Sequence, residues 1–301
     1  MRIVVAGSSG LIGTALVARL RGDGHEVVRL VRRTAGDGEA EWDPAAGELD
    51  PHVIDGADAV VNLAGAGIGE HRWTDEYKQA LRDSRLTTTQ LLASSIASAS
   101  DRPSIFLSGS AVGYYGDSGE EELDEASPAG EGFLPQLCID WEAATSAAES
   151  AGVRVAHLRT GIVLSGSGGA LKKQLPLFKL GLGGRFGKGR AWQSWISIDD
   201  EVGAIVHLLS ADVRGAVNLT APTPVRGADF AKTLGRVLNR PAVLPIPSFG
   251  PKLLLGSELA DALLFTGQRV APAALLASGY EFRHPTLEDA LRAVLDRAAA
   301  A

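Results

Sequence analysis

The sequence predicts an α/β fold, a doubly wound parallel sheet carrying a small C-terminal α/β lobe. Three observations predict it. Short apolar runs alternate with stretches of helical periodicity along most of the 301 residues. The first run, "RIVVAG", is β-branched and closes in a glycine turn that opens a helix. No internal repeat, low-complexity segment or heptad pattern interrupts the alternation.

In order, "RIVVAG" is the first strand and "LIGTALVARLRGDG" the first helix, ending in glycine. "HEVVRLVR" is the second strand, "EAEWDP" a third and "DAVVNLAGAG" a fourth that runs into glycines. A long helix covers about Asp75 to Ala99, and "SIFLSGSA" is the fifth strand. Phe133 to Ser150 reads as helical, "RVAHLRTGIVL" as the sixth strand, "DDEVGAIVHLLS" as a helix and "GAVNLTAP" as the seventh strand. Near Pro222–Pro224 a boundary is expected. Residues 1–225 then form the nucleotide-binding part, with a substrate-side insert over about 165–195. Residues 226–301 form a lobe packed on it, with "GADFAKTLGRVL" helical, "AVLPIP" a strand and "TLEDALRAVLDRAA" a closing helix.

Composition narrows the function. The net charge is −7, which argues against a nucleic-acid partner. One cysteine excludes an internal disulfide and a cysteine-rich metal site, and no metal-ligand cluster stands out. The single thiol and an N-terminus without signal-peptide features fit a cytoplasmic protein. No apolar run reaches the roughly 18 residues of a membrane span, so no membrane partner is expected. Oligomeric state stays open, and a homodimer is one arrangement the chain admits. Charge is uneven. Six of the nine residues from Asp117 to Glu125 are acidic, whereas Ser150 to Ile198 holds no acid and eight basic residues, Arg159 among them. Either the basic stretch is a solvated face, or it takes a small anionic substrate.

"VVAGSSGLIGTAL" places Gly7, Gly10 and Gly13 where a strand becomes a helix. Gly7 permits the tight turn, Gly10 lets backbone approach a pyrophosphate, and Gly13 lets the helix lie close to the strand. This is the signature of a dinucleotide site. The second strand ends in Val31, Arg32 and Arg33, with no acid to bind a ribose 2′-hydroxyl. Guanidinium groups suit a 2′-phosphate, so NADP(H) is the expected cofactor. "NLAG" at the end of the fourth strand would pass beside the adenine ribose.

These residues resemble the extended short-chain dehydrogenase/reductase superfamily, whose nucleotide domain is a Rossmann fold. "AGSSGLIG" is similar to its nucleotide fingerprint, "NLAG" to its fourth-strand motif, and "LSGSAVGYYG" to its serine-bearing strand end. "EWDPAAGELD", "HRWTDEYKQALRDSRLTTTQLL", "GLGGRFGKGRAWQSWISIDD" and "ALLASGYEFRHPTLEDAL" narrow the likeness to an epimerase family with a C-terminal domain of unknown function. The resemblance implies that Gly7, Ser9, Gly10, Leu11, Ile12 and Gly13 hold the pyrophosphate. It implies that Arg32 meets the adenosine end, that Leu63, Ala64 and Gly65 flank the ribose, and that Arg85 points toward the cofactor. It implies that Gly161, Ile162 and Val163 lie beside the nicotinamide. Ser110 takes the place of the active-site serine.

One part departs from the superfamily. Where a tyrosine and, four residues on, a lysine should stand, "FLPQLCIDWEAA" has Cys138 and Glu142. A carboxylate one turn away disfavours a thiolate, so Cys138 reads as a packing residue. Trp141 and Glu142 read as family markers. Ser110 with Tyr115 is the candidate catalytic pair, with Tyr114 an alternative phenol. Lys78 and Arg85, two turns apart, could anchor an anionic substrate, while His157 reads as a core histidine and His71 as a lone cleft histidine. Two readings follow: an NADP(H)-dependent oxidoreductase or epimerase acting on a small anionic substrate such as a nucleotide sugar, or a non-catalytic NADP(H)-binding sensor.

Overall fold

A computed structural model describes residues 1–300. The strands are β1 (Arg2–Ala6), β2 (Glu26–Val31), β3 (Glu39–Asp43), β4 (Glu48–Leu49), β5 (Ala59–Asn62), β6 (Ile105–Ala111), β7 (Glu122–Leu123), β8 (Arg154–Thr160), β9 (Ile162–Leu164), β10 (Trp192–Gln193), β11 (Trp195–Ser197), β12 (Gly215–Leu219), β13 (Val225–Arg226) and β14 (Arg269–Val270). The helices are α1 (Leu11–Gly22), α2 (Pro51–Ile54), α3 (Asp75–Ser98), α4 (Phe133–Ala143), α5 (Ser146–Ser150), α6 (Gly169–Lys179), α7 (Ile198–Ser210), α8 (Gly227–Val237), α9 (Phe249–Leu255), α10 (Ser257–Ala260), α11 (Ala273–Ala277) and α12 (Leu287–Ala300).

The main sheet has the order β12-β8-β6-β5-β1-β2-β3-β4. Its pairs are parallel except β3 with β4 at one edge. From β1 the chain winds outward through β2 and β3, then returns to β5 and winds the other way. The crevice above the C-terminal ends of β1 and β5 is therefore a topological switch point, where open α/β sheets bind ligands.

Alternation within single strands fills both faces. Ile3 and Val5 point into a core closed by Leu16 and Leu20 of α1 and Ile205 and Leu208 of α7. Val4 and Ala6 point the other way, against Leu92 and Ile96 of α3 and Ala148 of α5. α3 starts cleanly because Thr74 accepts from the Tyr77 amide and Asp75 and Glu76 occupy the positive first turn. A third core joins Leu171 and Phe178 of α6, Trp195 of β11, Phe230 of α8 and Leu291 of α12. It thus unites the expected insert with the C-terminal segment.

Three expectations need correction. "AVLPIP" is no strand. Pro245 and Pro247 lack the N–H groups a ladder needs, and only Ile246 bridges to Phe186. "RVAHLRTGIVL" is two strands that break at Gly161, where an added Cβ would stand 2.4 Å from the Ser194 carbonyl oxygen. The helix of Phe133–Ser150 is likewise two, parted where the Thr145 hydroxyl bonds back to the Glu142 carbonyl at 2.7 Å. No helix among the described residues is long and apolar enough to cross a membrane.

The C-terminal lobe is fastened to α7 by Asp200, which has no exposed surface. Its carboxylate accepts from the Ser197 hydroxyl at 2.7 Å, the Arg283 amide at 2.6 Å, the His284 amide at 3.0 Å and the Tyr280 hydroxyl at 3.3 Å. Removing it leaves four donors to be resolved at once. Asp200→Ala is expected to lower stability by about 3 kcal/mol, read from urea unfolding. A loss below roughly 0.5 kcal/mol would mean the lobe is held elsewhere.

Candidate functional site

The glycine turn sits at the switch point. Gly7 has φ of +73°, in the region that favours glycine, and an added Cβ would stand 2.4 Å from the Leu63 carbonyl carbon. A Cβ on Gly13 would meet the Gly7 carbonyl oxygen at 2.2 Å, so helix and turn touch backbone to backbone. Gly10 caps α1 without any side-chain hydrogen bond. The first amides of α1 are left to other acceptors, and Ser9 and Gly10 are exposed beside the half-buried Leu11 and Ile12. This cradle fits a dinucleotide pyrophosphate.

The neighbouring loop is braced from beneath. The Asn62 side chain accepts from the Ala64 amide at 3.1 Å and donates to Thr89 at 2.9 Å. Arg85 is buried, donates to the Ala66 carbonyl at 3.0 Å and the Leu81 carbonyl at 2.9 Å, and lies 5.0 Å from the Trp141 ring centre. Its guanidinium thus supports the turn at Leu63, Ala64 and Gly65. Burial lowers the Arg85 pKa. Across the crevice, Gly161 donates to Leu219 at 3.0 Å and Ile162 to Ser194 at 2.8 Å, leaving the stretch to Val163 half-buried. Next to it, burial pushes Glu201 up to about 8, against the opposing effect of its hydrogen bond from Thr160.

The two arginines at the tip of β2 are not alike. Arg33 forms two hydrogen bonds to Glu39, at 2.7 and 2.8 Å, and these, with the Gly36 amide and Arg29, hold Glu39 down at about 2. Arg32 is exposed and makes no ion pair among the described residues.

Ser110 stands at the end of β6 and donates to Glu142 Oε1 at 2.6 Å. Glu142 also receives a bidentate pair from Arg159 of β8, Nε to Oε1 at 2.8 Å and Nη2 to Oε2 at 2.9 Å. Arg159 is buried and stacks 3.5 Å from the centre of the Tyr114 ring. Burial opposes its charge, but its hydrogen bonds to Glu142 and Tyr115 and the Glu142 charge outweigh this and raise its pKa. Its Nη1 donates to the Tyr115 hydroxyl at 3.0 Å, which donates to Asn218 Oδ1 at 2.7 Å. Burial raises the Tyr115 pKa, with Arg159 pulling the other way. Asn218 donates in turn to the Ala271 carbonyl of the lobe at 3.0 Å.

One chain of contacts therefore runs Ser110, Glu142, Arg159, Tyr115, Asn218. Sequence reasoning missed Glu142, Arg159 and Asn218. Arg159 carried a signal, being a charged residue in an apolar strand that requires a buried partner. Two cations of the basic stretch are engaged within the protein, Arg159 by Glu142 and Tyr115 and Arg154 by the carbonyls of Leu208, Leu209 and Ala211.

Other residues lie apart. Lys78 pairs with Glu258 at 2.6 Å, and exposed His71 packs edge-on to Tyr77. His157 is buried against the Thr145 hydroxyl at 3.0 Å, and burial lowers its pKa. No cluster that could hold a metal ion occurs among the described residues.

A parallel sheet with a glycine turn at its switch point and a serine at the end of the neighbouring strand defines a Rossmann-type nucleotide-binding protein. Residues 3–220 match the NAD dependent epimerase/dehydratase family and residues 246–294 a domain of unknown function (DUF1731), so the chain belongs to that epimerase family. It is 47% identical over 291 residues to the epimerase family protein MT2273 of Mycobacterium tuberculosis, covering 96% of each chain. The crystal structure of human epimerase family protein SDR39U1 (isoform2) with NADPH is similar with a TM-score of 0.91 and 39% identity, over 98% of this chain and 99% of that one. A nucleoside-diphosphate sugar epimerase from Corynebacterium glutamicum matches with a TM-score of 0.77 and 37% identity, over all of this chain and 61% of that one.

Cys138 faces the Ala111 carbonyl at 3.7 Å, and burial, reinforced by Glu142, pushes its thiol up to about 12. At pH 8 the folded protein should leave Ellman's reagent unreduced, and urea should release one equivalent of thiol. Rapid reaction of the native protein would place a thiolate in the site.

Proposed function

We propose that the protein is an NADP(H)-dependent oxidoreductase or epimerase that acts on a secondary alcohol of a small anionic substrate, a nucleotide sugar being the class that fits. NADP(H) is the group that exchanges hydride when bound. The observation that carries the reading is the state of Ser110. Its one proton is committed to Glu142, so its lone pairs are what it offers the cleft. It therefore accepts from a substrate hydroxyl rather than donating to a carbonyl. Glu142 stands behind it to receive the proton, and Arg159 holds that carboxylate in place. Tyr115 acts through Arg159, as a positioning residue. The first turn of α1 with Ser9 holds pyrophosphate. Leu63 to Gly65, braced by Arg85, flank the adenosine ribose, and Gly161 to Val163 form the nicotinamide wall. Exposed, unpaired Arg32 takes the 2′-phosphate, with Arg33 shared with Glu39. The NADPH in the human relative supports the cofactor, and the corynebacterial relative's description supports the substrate class.

NADPH should bind at least about tenfold tighter than NADH in a fluorescence titration. Arg32→Ala should erase most of that difference, and Arg33→Ala less of it. Equal affinities in the unaltered protein would sink the assignment of Arg32. With NADP⁺ and a panel of UDP-sugars, Ser110→Ala should abolish turnover and leave NADPH affinity unchanged. Turnover that survives the substitution would reject Ser110 as the group touching substrate.

A further inference from the structure

We infer that the outer face built by the end of α6, residues 241–247 and α9 docks on a membrane surface that carries anionic phospholipids. Leu180, Val243, Phe249, Leu253 and Leu254 are each more than 70% exposed. Single apolar side chains on a surface are ordinary, but a contiguous group of this size is not. The group is contiguous. Arg240 donates to the Lys179 carbonyl at 2.9 Å, Gly181 lies against the Pro241 ring, and Ile246 donates to the Arg185 carbonyl at 2.8 Å. Ser248 then leads straight into α9, whose Phe249 and Leu253 are one turn apart.

The charge around this face names its occupant. Residues 151–198 contain no acid, and neither do residues 230–257, although the chain as a whole carries −7. Lys172, Lys173, Lys179 and Arg240 are exposed and pair with no carboxylate among the described residues. At the α9 end the nearest acids, Glu258 and Asp261, are neutralised by Lys78 and Lys252, so the unpaired charge beside the face is cationic. Large apolar side chains flanked by unpaired cations are what an anionic bilayer interface takes up, the apolar groups at the level of the headgroups and the lysines against phosphates. A second copy fits worse. Two-fold pairing sets a patch against itself, and here would bring the unpaired cations of both copies, Lys179 and Arg240 among them, into one interface. A small soluble anion would use the lysines but leave the leucines in water. The contact is superficial and needs no spanning helix. The inference stands independently of the proposed chemistry.

The test is co-sedimentation of the full chain with vesicles of phosphatidylcholine alone and with phosphatidylglycerol added. Anionic vesicles should bind at least about tenfold more strongly than neutral ones, and salt should weaken the binding. Phe249→Glu with Leu253→Glu should abolish it, and Lys179→Glu with Arg240→Glu should remove the preference for anionic lipid. NADPH affinity, unchanged in both variants, shows that they fold. Equal binding to both vesicles, no sedimentation, or wild-type binding by either variant would overturn the inference. So would a dimer in solution that Leu253→Glu converts to monomer, which would make the face an interface between copies.

Discussion

The buried pair of Glu142 and Arg159 is the interaction on which the site depends. Two charges taken out of water are tolerated only when geometry is good and the remaining polar atoms are used. Here Arg159 donates twice to Glu142 and once to Tyr115, while the Tyr114 ring covers its guanidinium. Glu142 spends its spare capacity on Ser110. The pair ties α4 to β8 and sets the proton of Ser110 at the end of β6. In the wider superfamily a cation on the helix serves a tyrosine. In this chain the cation comes from a strand and serves a carboxylate, and the helix supplies the acid.

The lobe reaches the same network by a second route. Asn218 of β12 accepts a hydrogen bond from the Tyr115 hydroxyl and donates its side-chain amide to the Ala271 carbonyl, while its backbone amide donates to Glu125. Glu125 also accepts from Ala274. The acidic segment Asp117–Glu125 is stitched to the lobe through Glu120 with Arg226 and Glu122 with Arg269. Lobe position and tyrosine position are consequently not independent.

The sheet was legible because its apolar runs and glycine turns are local signals. Gly7, Gly10 and Gly13 mark a strand, a turn and a helix within thirteen residues. The lobe was less legible. "AVLPIP" has the apolar content of a strand but two prolines that prevent a ladder, and its partners lie some sixty residues away, around Phe186. Glu142 was misread for a different reason. Spacing tells which residues share a helix face, and it cannot tell which strand that face meets. The cation that Glu142 needs is seventeen residues further on, across a turn and a short helix. Ser110 could be found by its place at a strand end, but the commitment of its proton is visible only in three dimensions.

The glycine turn has one more consequence. Gly7 and Gly13 press on backbone at distances that admit no side chain, so the cradle proposed for pyrophosphate cannot be retuned by substitution there. Arg32 and Arg33 sit on an exposed strand tip with no such constraint, and only Glu39 ties one of them down. In the proposed site, grip and preference are thus separable parts. A lineage, or a protein engineer, wishing to exchange one nicotinamide coenzyme for the other would have two or three surface positions to vary and a fixed socket to leave alone.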